Sequence, residues 1–97
     1  MSDFYVRTDI AAITNFTDAG SLVEFPFEAH EQTIHNDNAN ASAVVELSWD
    51  GVNVHARLQG AGPSKIISWA DHVRKRLWLR STGPAGARIV EVLAVTR

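Results

Sequence analysis

The sequence predicts an all-β domain, a single-domain β-sandwich or jelly-roll-like fold, and three observations carry that expectation. Residues 44–58 alternate apolar and polar side chains on both sides of Asp50-Gly51. Short apolar runs recur along the chain, separated by glycine, proline, asparagine and aspartate. No stretch of about twelve residues repeats its apolar positions with the 3.6-residue period of an amphipathic helix. The sandwich is expected over residues 21–97, with residues 1–20 as an extended N-terminal arm.

In the arm, Phe4, Val6, Ile10, Ile13 and Phe16 are apolar but fit neither a clean alternation nor a capped helix. Ser21–Phe27 sets Val23, Phe25 and Phe27 on one face, and Pro26 lacks a ladder donor, which marks an edge strand or a strand end. Glu31–His35 form the next strand, followed by Asn36–Ser42, a loop of residues that close turns through their own side chains. Val45, Leu47 and Trp49 then share a face, as do Val52, Val54, Ala56 and Leu58. Asp50-Gly51 accommodates the positive φ angles of a type I′ turn, so a two-residue hairpin connection is expected between them.

Gly60–Pro63 read as a turn and Ser64–Ala70 as a strand with Ile66 and Ser68 opposite Ile67 and Trp69. Arg74–Ser81 alternate Leu77 and Leu79 against Arg76, Trp78 and Arg80, and Thr82–Gly86 are a turn. Ala87–Arg97 close the chain, with Ile89, Leu93 and Val95 on one face and Val90, Val92 and Ala94 on the other; only Glu91 interrupts the apolar set. A strand apolar on both faces is either covered twice within the fold or turns its second face to another subunit.

A chain of 97 residues makes one domain with a modest core. It has no apolar run near the length of a membrane span, and MSDFYVRTDIAAITN lacks the basic and apolar segments of a signal peptide, so the expectation is a soluble protein made in a cytoplasm, with no membrane partner. The absence of cysteine excludes disulfides, thiolate catalysis and thiolate-ligated metals.

Residues 1–50 hold nine acids against the single base Arg7, while residues 51–97 hold two acids against eight bases. Such asymmetry serves either charge complementarity inside an interleaved sandwich or complementarity between subunits. His72-Val73-Arg74-Lys75-Arg76 is too short a basic patch, in a chain with a pI of about 6.0, to indicate direct nucleic-acid binding.

The residues suggest no enzyme. His30, His35, His55 and His72 form no HxH or HxxxH pair; a metal site is conceivable only if His35 and His55 meet across strands beside Asp37 or Asp50. No serine sits in a nucleophile elbow, and Gly60-Ala61-Gly62 precedes no helix that could bind phosphate. No cofactor is expected. Trp49, Trp69 and Trp78 admit sugar stacking as an alternative to core or interface packing: Trp49 shares the face of Val45 and Leu47, whereas Trp78 alternates onto the side of Arg76 and Arg80, where an arginine-flanked tryptophan is a common interface anchor.

The succession Ile34-His-Asn-Asp37, Val45-Glu-Leu-Ser-Trp-Asp-Gly51, Val54-His-Ala56, Leu77-Trp-Leu-Arg80 and the valine-rich strand Ile89–Val95 resembles small structural proteins of tailed bacteriophages, over residues 21–95. Among these the chain is most similar to head decoration, or cement, proteins. The resemblance implies a virion component made in the host bacterial cytoplasm that binds the major capsid protein from the capsid exterior, works as a homo-oligomer, commonly a trimer, and often has an N-terminal arm. On that reading Phe4, Tyr5 and Ile10 anchor the arm, Arg74, Arg76, Trp78 and Arg80 form an interface patch, and Val90 and Val92 make oligomer contacts. A neck, tail or fibre-attachment subunit is the alternative within the virion, and a glycan-binding module the alternative outside it.

Overall fold

The computed structural model describes residues 3–40, 42–82 and 89–96. Among these residues eight strands form: β1 (Asp3–Asp9), β2 (Leu22–Ala29), β3 (Glu31–Asn36), β4 (Val44–Ser48), β5 (Ala56–Gln59), β6 (Ile66–Trp69), β7 (Arg74–Thr82) and β8 (Ile89–Val95). They pair antiparallel in two sheets ordered β1-β8-β3-β6 and β2-β7-β4-β5. Of the successive connections only β4–β5 stays within a sheet; every other one crosses the sandwich. This order is that of a jelly roll.

Alternation along each strand makes the core. Ile34 of β3, Val90, Val92 and Ala94 of β8, Val45 and Leu47 of β4, Leu58 of β5 and Leu77 and Leu79 of β7 are fully buried between the sheets. The described part of the closing strand therefore lies in the centre of its sheet, between β1 and β3, with one face wholly internal. This corrects the expectation that Val90 and Val92 are oligomer contacts: both point into the core and neither reaches solvent. The opposite face, Ile89, Glu91, Leu93 and Val95, is the one turned outward.

The N-terminal segment also departs from the expectation of an arm. Residues 3–9 are extended, but they run beside β8 from Asp3 opposite Val95 to Asp9 opposite Ile89. Ile10, expected as an arm anchor, is fully buried in the core, and Ile13 and Phe16 are buried with it. The crossing to the second sheet then continues the ladder along β7: the Ser81 amide donates to the Ile13 carbonyl at 2.7 Å and the Leu79 amide to the Ser21 carbonyl at 3.0 Å. Asp18 shapes this loop by accepting from the Thr14 and Asn15 amides, which holds its carboxyl below the usual aspartate range. The alternation of β1 was hard to read because the strand ends in a loop whose apolar residues follow no period.

The connection after β4 is wider than a two-residue turn. Leu47 stands opposite Ala56, so the register is two residues longer than Asp50-Gly51 alone would give. The Asp50 carboxylate accepts the amides of Val52 and Asn53, each at 2.8 Å, while Ser48 Oγ accepts the Gly51 amide at 2.9 Å. Side-chain acceptors thus close a loop where a backbone hairpin was expected. A shift of two preserves the faces, so Leu58 still enters the core, but Val52 and Val54 are left exposed. The Gly/Pro turn expected after Thr82 lies outside the described residues.

Candidate interaction surfaces

With the core fixed, the outer faces of the two sheets and their edges are what a partner can meet. On the outer face of the β1 sheet, three strands bring one polar network together. Arg7 of β1 pairs with Asp37, just after β3, and its guanidinium also lies 3.8 Å from Glu91 of β8. The Tyr5 hydroxyl donates to one Glu91 oxygen, and His35 Nδ1 lies 3.0 Å from the other. The Arg7 hydrogen bond holds Asp37 below the usual carboxylate range, and the bonds from Tyr5 and His35 do the same for Glu91. Tyr5 is in turn pushed up by the carboxylate it serves, and Arg7 is raised chiefly by Asp37.

His35, Asp37 and Glu91 offer ligand atoms within 4.8 Å of one another, a donor set that a divalent cation accepts. Arg7 and Tyr5 already compensate those carboxylates, so the cluster is self-contained as it stands. The meeting of His35 and His55 on which a metal site was conceivable does not occur: His35 faces outward from the β1 sheet, whereas His55 precedes β5 in the other sheet, where its Nδ1 accepts the Trp49 amide at 3.0 Å. Asp50 is occupied in its own loop. Glu91 was visible in the sequence as the lone charge in an apolar strand; its partners were not, because they come from segments far away in the chain.

The outer face of the β2 sheet carries the β7 arginines. Arg76 stands opposite Glu24 and is exposed. Arg80 donates through Nε to Glu46 Oε1 at 2.8 Å and lies 4.3 Å over the ring of Phe16. Glu46 also meets Arg57 at 3.3 Å. Trp78 sits between them half-buried, and a Cβ added at Gly51 would come within 3.1 Å of its indole, so the Asp50-Gly51 loop covers part of the ring. Of the expected patch, Arg74 and Arg76 are exposed, while Trp78 and Arg80 are largely committed within the fold. Arg74 lies 5.5 Å over Trp49.

Of the residues expected in the arm, Tyr5 is exposed at 57 % on the outer face. Phe4 points the other way and packs edge-to-face on Phe25, with ring centroids 5.6 Å apart. The remaining tryptophans also have partners: Trp49 and Trp69 meet edge-to-face at 5.1 Å, and His72 stacks on Trp69 at 6.0 Å. Burial, reinforced by Arg74, pushes His72 below the usual histidine range. Its Nδ1 lies 2.9 Å from Oε1 of the buried Gln32, whose amide donates to the carbonyls of Ala29 and His72. These rings form a plug between the sheets in which no two lie side by side as an open platform for a sugar.

No protein-family model matches the chain. No curated protein is significantly similar to it. Among the described residues, no helix is long and apolar enough to cross a membrane.

Proposed function

We propose that the chain is a structural component of a tailed-bacteriophage virion that binds the outside of the capsid and braces the shell as a decoration protein. The observation that carries this reading is the strand order. The jelly roll recurs in viral capsid domains, lectins and cupins, so the architecture admits a virion part without requiring one, and the motif resemblance selects among these uses.

The major capsid protein is the proposed partner, and the outer face of the β2 sheet is the proposed contact, where exposed Arg76 and Leu22 flank half-buried Trp78 and exposed Arg74 lies further along β7. A charged rim around an aromatic and an aliphatic residue matches the anatomy of protein interfaces. Mass action supplies the mechanism: a subunit that binds only the assembled shell favours that state by its binding free energy at every site, so each contact can be weak.

The test is co-sedimentation of the labelled chain with particles assembled from the genome that encodes it and stripped of their own copies. Saturable binding, weakened about tenfold or more by Arg74→Ala with Arg76→Ala while the melting temperature holds, is the expected result. Binding indifferent to both changes removes this face from the proposal, and no binding removes the shell.

A further inference from the structure

Among the described residues the two sheets end in four edges, β1 and β6 in one and β2 and β5 in the other. An unpaired edge is a template for another strand, and proteins normally blunt it by shortness, proline or a bulge. Three of these edges are blunted. β5 and β6 are four residues long, and β2 carries Pro26 and loses its register between Glu24 and Ala29. β1 is seven residues long, keeps an unbroken register with β8, and contains neither proline nor glycine. Beside this open edge two exposed apolar side chains adjoin on the outer face, Tyr5 at 57 % and its cross-strand neighbour Leu93 at 39 %.

We propose that β1 pairs antiparallel with β1 of a second copy of this chain, about a two-fold axis at Tyr5. In that register Asp3 of each copy opposes Arg7 of the other, Phe4 opposes Val6 on the inner face, and the two Tyr5 rings meet between the two Leu93 side chains. Opposite charges and aromatic pairs directly across antiparallel strands are stabilising. Neighbouring symmetric registers lack this match: an axis at Val6 sets Asp3 against Asp9, and an axis at Arg7 sets that arginine against itself. The charge pattern of the strand thus selects self-pairing in one register, and the result is a continuous eight-stranded sheet across the dimer. This pairing is independent of shell binding, and its two-fold symmetry differs from the trimer that the resemblance implies.

Because the chain has no cysteine, Tyr5→Cys places its one thiol at the axis. Residues directly opposed on antiparallel strands have Cα atoms about 4.5–5.5 Å apart, within disulfide reach. Mild oxidation is expected to convert most of this variant to a covalent dimer, whereas Asp9→Cys, on the same strand and face but off the axis, stays largely uncrosslinked. In sedimentation the wild-type chain is expected to be a dimer, and Tyr5→Lys a monomer with an unchanged circular dichroism spectrum. A wild-type monomer or trimer, or equal crosslinking of the two cysteine variants, overturns the proposal; capture of a foreign strand by a monomer's β1 edge does so as well.

Discussion

Arg80 of β7 and Glu46 of β4 stand opposite each other and are joined by an Nε–H···Oε1 bond of 2.8 Å, and Arg57 of β5 reaches the same carboxylate from the other side. This triplet takes up part of the lopsided charge of the chain. In each sheet, strands from the acidic first half alternate with strands from the basic second half, so β8 lies between β1 and β3, and β7 between β2 and β4. Glu24 stands opposite Arg76 and Glu46 is bonded to Arg80 in one sheet, while Arg7 lies 3.8 Å from Glu91 in the other. The asymmetry is absorbed at least in part within the subunit.

Glu46 has a side chain only 12 % exposed, so its removal uncovers two arginines and should cost about 1 kcal/mol, more than an ordinary surface pair. Arg57 is 63 % exposed, and Arg57→Ala should cost less than about 0.5 kcal/mol. Urea unfolding of Glu46→Ala and Arg57→Ala checks the order.

Asn36 is fully buried, and its amide donates to the Ala43 carbonyl at 2.7 Å and the Leu58 carbonyl at 2.9 Å, joining β3 to the opposite sheet. Asn36→Ala leaves two buried carbonyls without that donor and should cost about 3 kcal/mol. A loss under about 1 kcal/mol in denaturant unfolding would mean that water replaces the amide.

The motifs that suggested a phage protein can now be read as parts of the fold. In Asn36-Asp37, the first residue ties the sheets and the second takes Arg7; in Ser48-Trp-Asp-Gly51 the serine and aspartate close the loop after β4; in Leu77-Trp-Leu-Arg80 the leucines fill the core. The strands after residue 20 were legible because their faces alternate and Gly, Pro, Asn and Asp punctuate them. The N-terminal strand was not, since its evidence is a partner, β8, that lies at the other end of the chain. The same distance hid the Tyr5–Glu91 and Gln32–His72 contacts and the buried face of Val90 and Val92.

An N-terminal segment belonging to the sandwich has a thermodynamic signature. Ile10→Ala should cost about 3 kcal/mol, because the side chain is fully buried in the core cluster. Removing residues 1–15 should lower the melting temperature sharply and expose β8 as a new edge. A truncated protein that melts like the intact one would return these residues to the status of an arm.

Two glycines separate backbone strain from crowding. Gly51 and Gly62 have φ of +80° and +84°, but a Cβ at Gly51 meets Trp78 at 3.1 Å while one at Gly62 meets nothing within 4 Å. Gly62→Ala should cost about 1 kcal/mol and Gly51→Ala about twice that. Equal losses in thermal unfolding would show that Trp78 yields freely.

Stability should rise with pH through the acid range. Asp37 is held low by Arg7, Glu91 by Tyr5 and His35, and Asp18 by the Thr14 and Asn15 amides, so the unfolded carboxyls bind protons first as pH falls. Their stabilisation is complete above the ordinary values of 3.8 and 4.5 and is lost as pH drops through the lower folded values. Half-buried His72 acts with the same sign: its unfolded form binds a proton first below the ordinary 6.5, and stability falls from there towards its lowered folded value. Urea midpoints between about pH 3 and 8 should therefore climb, with Asp37→Asn flattening the lower part and His72→Gln the upper part. A midpoint that is constant in wild type contradicts both assignments.

The proposed place of the chain in a virion is tested most directly by counting its copies per purified particle, using quantitative mass spectrometry with the major capsid protein as internal standard. A decoration protein is expected in hundreds of copies. A dozen or so would assign it to the neck or tail instead, and its absence from the particle would contradict the virion reading altogether.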